Sequence, residues 1–454
     1  MRHRAAKRIS LRGCLLLVSG FATMLVGCTF IPRGTAALRR EAVHAGRPFS
    51  KSPERRRLPR LSAVPTPEEL VRRALRNSPD VEAAYWQWRA AIEAVSERGT
   101  EATAPALGAT VGLKNGAAST GGTMLQLANM GSAPIEWPSK PLVAARAALQ
   151  RAYAAGWNYR RTQFAVRRQA LDAWYKLVAD STMLRLLRRD KALVRELDEF
   201  ARAAIEAGMA VPSAALRIEN ELTGLNARIA AVSAQLPADR AALNRIVGRA
   251  AERPLRVPGE LPRISVPRGT RTRMLTLAVR RNPQLAALRR DIRAGRLEVE
   301  RAEMNDIPDF SLSAAASLDG IAQNLGGAIM VPFVRYRAIN AAIRQNRDWL
   351  RETEAHLRSR RLSIDARLVT DLAMAQSDAR QISLYEHTVL PRLERLDEFG
   401  RVDVEQGRAG IGEPVRIERA RIQVREILLD LRLDESERLV DLDTLTAARL
   451  TSGE

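Results

Sequence analysis

LDEFARAAIEAG at residues 197–208 and LDEFGRVDVEQG at residues 396–407 share Leu-Asp-Glu-Phe and a terminal Gly at a constant offset of 199. The same offset pairs Asp172 with Asp371, Ile218 with Ile417, Leu225 with Val424, Ile229 with Leu428 and Val232 with Leu431. Upstream, ALRNSPDVEAA (74–84) answers AVRRNPQLAAL (278–288), the offset having drifted to 204 between Pro79 and Pro283. One unit is written twice, so the fold must be a doubled one.

Each copy orders its elements alike. A helix opens after a Pro-rich entry, TPEELVRRAL in the first copy, with Thr66 a plausible N-cap and Glu68 and Glu69 in the first turn, and is expected to run to about residue 103. A Gly-, Ser- and Thr-rich stretch follows, between Pro105 and Pro141 in the first copy and between Pro308 and Val334 in the second. Long helical patterns then cover roughly 139–207 and 336–407, Pro391 being the internal proline of the second. At 1.5 Å per residue each would be on the order of 100 Å long, far beyond a globular helix. The chain turns at Gly208 to Pro212, or Gly407 to Pro414, and returns helically. On the first return Ile218, Leu222, Leu225, Ile229 and Val232 fall on alternating steps of four and three, a coiled-coil seam.

In FSLSAAASL, Phe310, Leu312, Ala314, Ala316 and Leu318 alternate with Ser311, Ser313 and Ser317, the period of a strand with one apolar and one small polar face. GGAIMVPF (326–333) reads as its return strand. Two such hairpins, at about 105–137 and 308–334, supply four strands per chain. Open sheet edges have no hydrogen-bond partner in hydrocarbon, and the smallest spanning barrels use about eight strands. If the hairpins enter a membrane, several chains must share one barrel; otherwise they pack on the protein's own helices.

The amino terminus carries Arg2, Arg4, Lys7, Arg8 and Arg12 and then an apolar run closed by Leu25-Val26-Gly27-Cys28. This is the layout of a secretory signal, too short to span comfortably. LVGC resembles the bacterial lipobox, which implies removal of residues 1–27 and lipid, including palmitate, on Cys28; the alternatives are cleavage elsewhere or an uncleaved anchor. The formal charge is +22 over 454 residues, and the five positive charges of residues 1–27 leave +17 (22 less 5) beyond them. Export makes nucleic acid an improbable partner for that charge. Of the 2 Cys, Cys14 lies in the signal, so an internal disulfide is not available. Residues 28–63, with ERRRLPR at 54–60, read as an extended, solvated arm that rests on anionic headgroups or serves as a tether. The divisions are then 1–27 signal, 28–63 lipid-anchored arm, 64–250 first repeat, 251–269 linker and 270–448 second repeat.

In order, spacing and duplication the chain resembles the TolC-like outer-membrane efflux channels, across about residues 64–450. The pieces are ALRNSPDVEAA and AVRRNPQLAAL, APIEWPSKPLVAARAAL (133–149), ALDAWYKLV (170–178), VPFVRYRAINAAI (331–343) and the turns at Gly208 and Gly407. The resemblance implies a mainly α fold with a small β part: internally duplicated, antiparallel coiled-coil helices and two β-hairpins, assembled as a trimeric α-barrel/β-barrel channel. It implies a passive exit duct in the outer membrane, lipid-anchored and extending into the periplasm, fed by an inner-membrane pump and a periplasmic adaptor. The adaptor would dock at Gly208, Met209, Ala210, Val211 and Pro212 and at Gly407, Gly410, Ile411 and Gly412. A carboxylate ring would constrict the channel at Glu413, although the first copy has Ala214 at the matching position and Arg416 stands where a further acid would be. IEWPSK faintly resembles the members paired with cation pumps, yet His44, His356 and His387 are isolated and no metal or other cofactor is expected.

No nucleophile elbow, HExxH, P-loop, Rossmann fingerprint or paired-Cys motif is present, so catalysis is not expected. Asp198-Glu199 and Asp397-Glu398 are adjacent on a helix and diverge by about 100°, which suits ion pairs with Arg and not an acid/base pair. The competing reading is a lipid-anchored periplasmic coiled-coil scaffold that never spans the membrane.

Overall fold

A computed structural model describes residues 30–100, 108–111, 123–127, 136–208, 211–264, 271–317, 323–330, 336–406, 408 and 412–448. The signal segment and Cys28 lie outside them. Helices are α1 (Thr35–Ala45), α2 (Pro67–Asn77), α3 (Pro79–Thr100), α4 (Ser139–Glu206), α5 (Pro212–Val247), α6 (Arg271–Arg281), α7 (Pro283–Glu303), α8 (Tyr336–Leu384), α9 (Leu390–Glu405) and α10 (Gly412–Thr446). Strands are β1 (Gly108–Val111), β2 (Thr123–Leu127), β3 (Asp309–Ser317) and β4 (Gln323–Met330). No helix among the described residues is long and apolar enough to cross a membrane.

The expected single opening helix is two helices in each copy, broken at Ser78-Pro79 and at Asn282-Pro283. Proline cannot donate, and it drives the residue before it out of the α region. Each break is a well-made helix start. The Ser78 hydroxyl accepts from the Val81 N–H at 3.4 Å, and Asn282 Oδ1 accepts from the N–H groups of Gln284 and Leu285 at 3.0 and 3.2 Å. The proline then sits at the first helical position, where a missing N–H costs nothing.

Contacts divide the chain into two compact units. The first comprises residues up to Ala45, Trp86–Gly156 and Ala287–Leu357, and it holds the sheet. The order is β1-β2-β3-β4, antiparallel throughout, and the β2–β3 pairing (Met124 with Ser317, Leu127 with Ala314) joins the hairpin of one copy to that of the other. The return strand begins at Gln323, three residues before GGAIMVPF, because Gln323 is in register with Ala316. The expected face alternation of β3 falls on side chains outside the described set, as does Leu318. Below β3, the buried Lys140 in the first turn of α4 donates to Asp309 Oδ1 at 2.6 Å and to the Ile307 carbonyl at 2.8 Å. The long helix of the first copy is thus tied to a strand of the second.

The amino-terminal stretch corrects the expectation of an extended, solvated arm. The Phe30 N–H donates to the Gly99 carbonyl at 3.3 Å, and α1 buries Leu38 and Ala42 in this unit while Arg39 pairs with Glu93 at 2.8 Å. An apolar residue every fourth position was present in TAALRREAVHA but was outweighed by its charge.

The second unit comprises Gly46–Tyr85, Trp157–Ala286 and Arg358–Glu454. Phe49 is buried there against Tyr85, ring centres 5.4 Å apart, beneath the guanidinium of Arg56, which also pairs with Glu82. Its coiled-coil core joins Leu187, Val194, Ala201 and Ala204 of α4 to Ile218 and Leu225 of α5 and Ile422 of α10, with Leu222, Ile229 and Val232 packed alongside. All five seam positions read from the sequence are in that cluster. Steps of seven along α4 (187, 194, 201) keep one face turned to the partner helix.

In the second copy the long helix is interrupted by a π turn, Tyr385–Val389, directly before Pro391. A proline inside a helix leaves the carbonyl four residues back without its donor and clashes with it. Widening one turn to i→i+5 bonding relieves both.

Candidate functional site

Both helix reversals belong to the second unit. At the first, the N–H groups of Ala207 and Gly208 bond back to Ala203 and Ile205 at 3.0 Å each, and Gly208 takes φ +71°. A Cβ there would meet nothing within 4 Å, so the left-handed backbone and not a lack of room calls for glycine. Val211 caps α5 without a side-chain bond, Pro212 follows at the first helical position, and Val211 and Leu216 stand exposed. At the second reversal Gln406 N–H bonds to Val402 and Arg408 N–H to Asp403, whose carboxylate also takes the Arg408 guanidinium at 2.8 Å. Glu413, in the first turn of α10, pairs with Arg416 three residues on. Met209, Ala210, Gly407, Gly410 and Ile411 lie outside the described residues, as does the environment of Gly412.

Just before the reversals, Phe200 and Phe399 are 50% and 62% exposed. They are the Phe of LDEF in the two copies. The acids beside them make ion pairs as their adjacency suggested: Asp198 with Arg202 at 2.9 Å and Asp397 with Arg421 at 3.5 Å.

The second unit also holds buried and half-buried acids on α4, α8 and α10. Burial is the first cause in each case: it pushes Asp172, Asp180 and Glu435 up to about 7 and Asp190 up to about 6, and raises Asp371, the repeat mate of Asp172. Arg168 opposes the shift at Asp172 through a 3.3 Å bond. These groups hold protons in the fold that they would release when unfolded, so their stabilising contribution is full below about pH 4 and is lost as pH rises to 7. Thermal stability is therefore expected to increase from pH 8 to pH 5.5, with Asp172→Asn flattening that rise. A melting profile independent of pH in both proteins would show the burial to be inconsequential.

No family model and no curated protein matches the sequence. Solved structures do. The outer membrane protein VceC of Vibrio cholerae superposes with a TM-score of 0.71 at 15% identity, over 84% of this chain and 96% of that one. The fold is that of the TolC-like outer-membrane channels. The open-state MtrE outer membrane channel of Neisseria gonorrhoeae gives 0.71 at 15% identity over 85% of this chain and 89% of that one. The CmeC outer membrane channel of Campylobacter jejuni gives 0.66 at 13% over 86% and 87%. At these identities the likeness is one of fold, and TolC-like topology is carried here by a sequence almost wholly its own.

Within this TolC-like frame the described candidates Gly208, Val211, Pro212, Gly412 and Glu413 sit at the ends of the paired helices. Cys28 lies outside the described residues. Sequence reasoning assigned no role to the two exposed Phe residues. The signal was there: one of only 8 Phe in the chain recurs at the same register in each copy, amid charged neighbours.

Proposed function

We propose that the chain is a subunit of an outer-membrane exit channel, three copies of which close one twelve-stranded barrel above a barrel of helices. One observation carries this: each chain offers a single four-stranded sheet, stitched across its two copies, whose outer strands β1 and β4 each pair on one side only among the described residues. Such edges need a partner in hydrocarbon. On this reading Cys28 is lipidated in the outer membrane, and the reversals at Gly208 to Pro212 and Gly407 to Gly412 meet a periplasmic adaptor that links the duct to an inner-membrane pump. The solved neighbours described as outer membrane channels support it. The cargo is then chosen by the pump and not by this chain.

The test is the native mass of protein extracted by mild detergent from purified outer membranes, where a trimer is expected. A monomer, or absence from that membrane, would favour the lipid-anchored scaffold instead; the short β1 and β2, 4 and 5 residues against the roughly 9–11 of a tilted spanning strand, favour that reading. Given a trimer, Glu413 is proposed to ring the periplasmic mouth. Glu413→Ala is then expected to raise closed-state conductance in planar bilayers and sensitivity to vancomycin, and unchanged values of both would remove Glu413 from that role.

A further inference from the structure

The second unit contains a cavity of about 220 Å³ lined by Arg161 and Arg168 of α4, Arg360, Arg367 and Asp371 of α8 and Asp441 of α10. Four guanidiniums in an Arg-rich chain need no explanation where carboxylates answer them, and several in this unit are so answered. Arg167 meets Asp443 at 3.1 Å, Arg425 meets Asp190 at 3.4 Å and Arg438 meets Asp378 at 2.8 Å. In the cavity only Arg168 is served, donating to Asp172 Oδ2 and Asp441 Oδ2, with Asp441 Oδ1 also at ion-pair distance. Arg161, Arg360 and Arg367 have no carboxylate at ion-pair distance among the described residues.

Arg360 is held in place by its Nε, which donates to Gln284 Oε1 at 2.6 Å. Its neighbours repel it: burial first, then Arg367 and Arg161, lower its affinity for its own proton. Four positive groups against two carboxylates leave the lining two charges in excess, and Asp371 is itself pushed toward its neutral form by burial and then by Asp441. Arg161 and Arg367 are exposed and Arg360 is half-buried, so the repulsion falls chiefly on Arg360, and an anion entering the cavity would relieve it. Guanidinium forks match the spacing of oxygens on a tetrahedral oxyanion and can grip it bidentately.

We propose that this cavity binds a small, doubly charged oxyanion of the inorganic phosphate class, held between Arg161, Arg360 and Arg367. The anion would bridge α4 and α8, with α7 fixing Arg360 through Gln284. The site is independent of the channel reading and would stand if that reading fell.

The experiment is calorimetric titration of inorganic phosphate into the full chain purified in detergent, at constant ionic strength with chloride as the reference anion. Saturable uptake of one phosphate per chain is expected. Arg360→Gln and Arg367→Gln should each weaken it by about tenfold or more, the loss of a hydrogen bond to a charged group. Arg202→Gln removes an exposed guanidinium paired with Asp198 and Glu219 and should leave affinity unchanged. If the Gln variants fail to fold, Arg360→Lys keeps the charge and loses the fork, and weakened binding in that folded protein is still expected. Absence of saturable uptake overturns the proposal, whether or not the variants also lower the native mass. Equal weakening by Arg202→Gln overturns it too, by reducing the effect to overall charge.

Discussion

Arg167→Leu is expected to cost about 3–5 kcal/mol of stability in the second unit, the range for breaking a buried ion pair from one side. Arg167 Nη1 lies 3.1 Å from Asp443 Oδ2, and the side chain of Asp443 has no exposed surface. The pair joins α4 to α10, residues 276 apart in sequence. Removing the cation leaves the carboxylate in a space that water does not reach. The double variant Arg167→Leu/Asp443→Leu removes both charges and should recover most of the loss, because two apolar groups of similar size can pack where the pair stood. Urea denaturation followed by helical circular dichroism checks both proteins. A single variant within 1 kcal/mol of the parent would mean that Asp443 finds other compensation. The exposed pair Arg351 and Asp348, 3.2 Å apart with both side chains mostly in solvent, provides the contrast: Arg351→Ala should change stability by less than about 1 kcal/mol.

Leu225→Ala should cost about 2–5 kcal/mol, felt locally, since the leucine is buried to 1% exposure at the centre of the α4–α5 seam. Truncation removes packing against both helices, and backbones held apart by Leu187 and Val194 cannot close over the gap. Leu222→Ala, one turn away and only partly buried, should cost less. Hydrogen exchange is the appropriate measurement, because a chain of two units need not unfold in one step. Amides of residues 218–232 should lose protection in Leu225→Ala while those of the sheet do not. Uniform loss of protection through the chain would show the seam and the sheet to unfold together.

Much of this was legible before any coordinates. The LDEF pair and its offset announced the duplication, and the four-three spacing of Ile218 to Val232 named the seam residue by residue, because a heptad is written directly in side-chain type. FSLSAAASL announced β3 by its period of two. Less legible were features decided by a single bond. Ser78-Pro79 and Asn282-Pro283 fell inside what was read as one opening helix per copy, although proline's effect on its predecessor was the available clue. Pro391 was noted, yet its consequence, the π turn over Tyr385–Val389 inside the expected helix, depends on how the surrounding helix gives way. Helix α1 was hidden by its own charge. The Arg cavity could not be read at all, since Arg161, Arg360 and Asp441 are brought together only by tertiary structure, and whether a guanidinium is answered is a matter of ångströms.

The half-paired outer strands have a thermodynamic consequence. A surface that is completed only when something binds to it makes folded-state stability a function of how much of that binder is present, gaining as the logarithm of its concentration over its dissociation constant. If the binder is a second copy of the chain, dilution alone lowers the melting temperature. No single unfolding free energy then belongs to this sequence; it belongs to the sequence at a stated concentration.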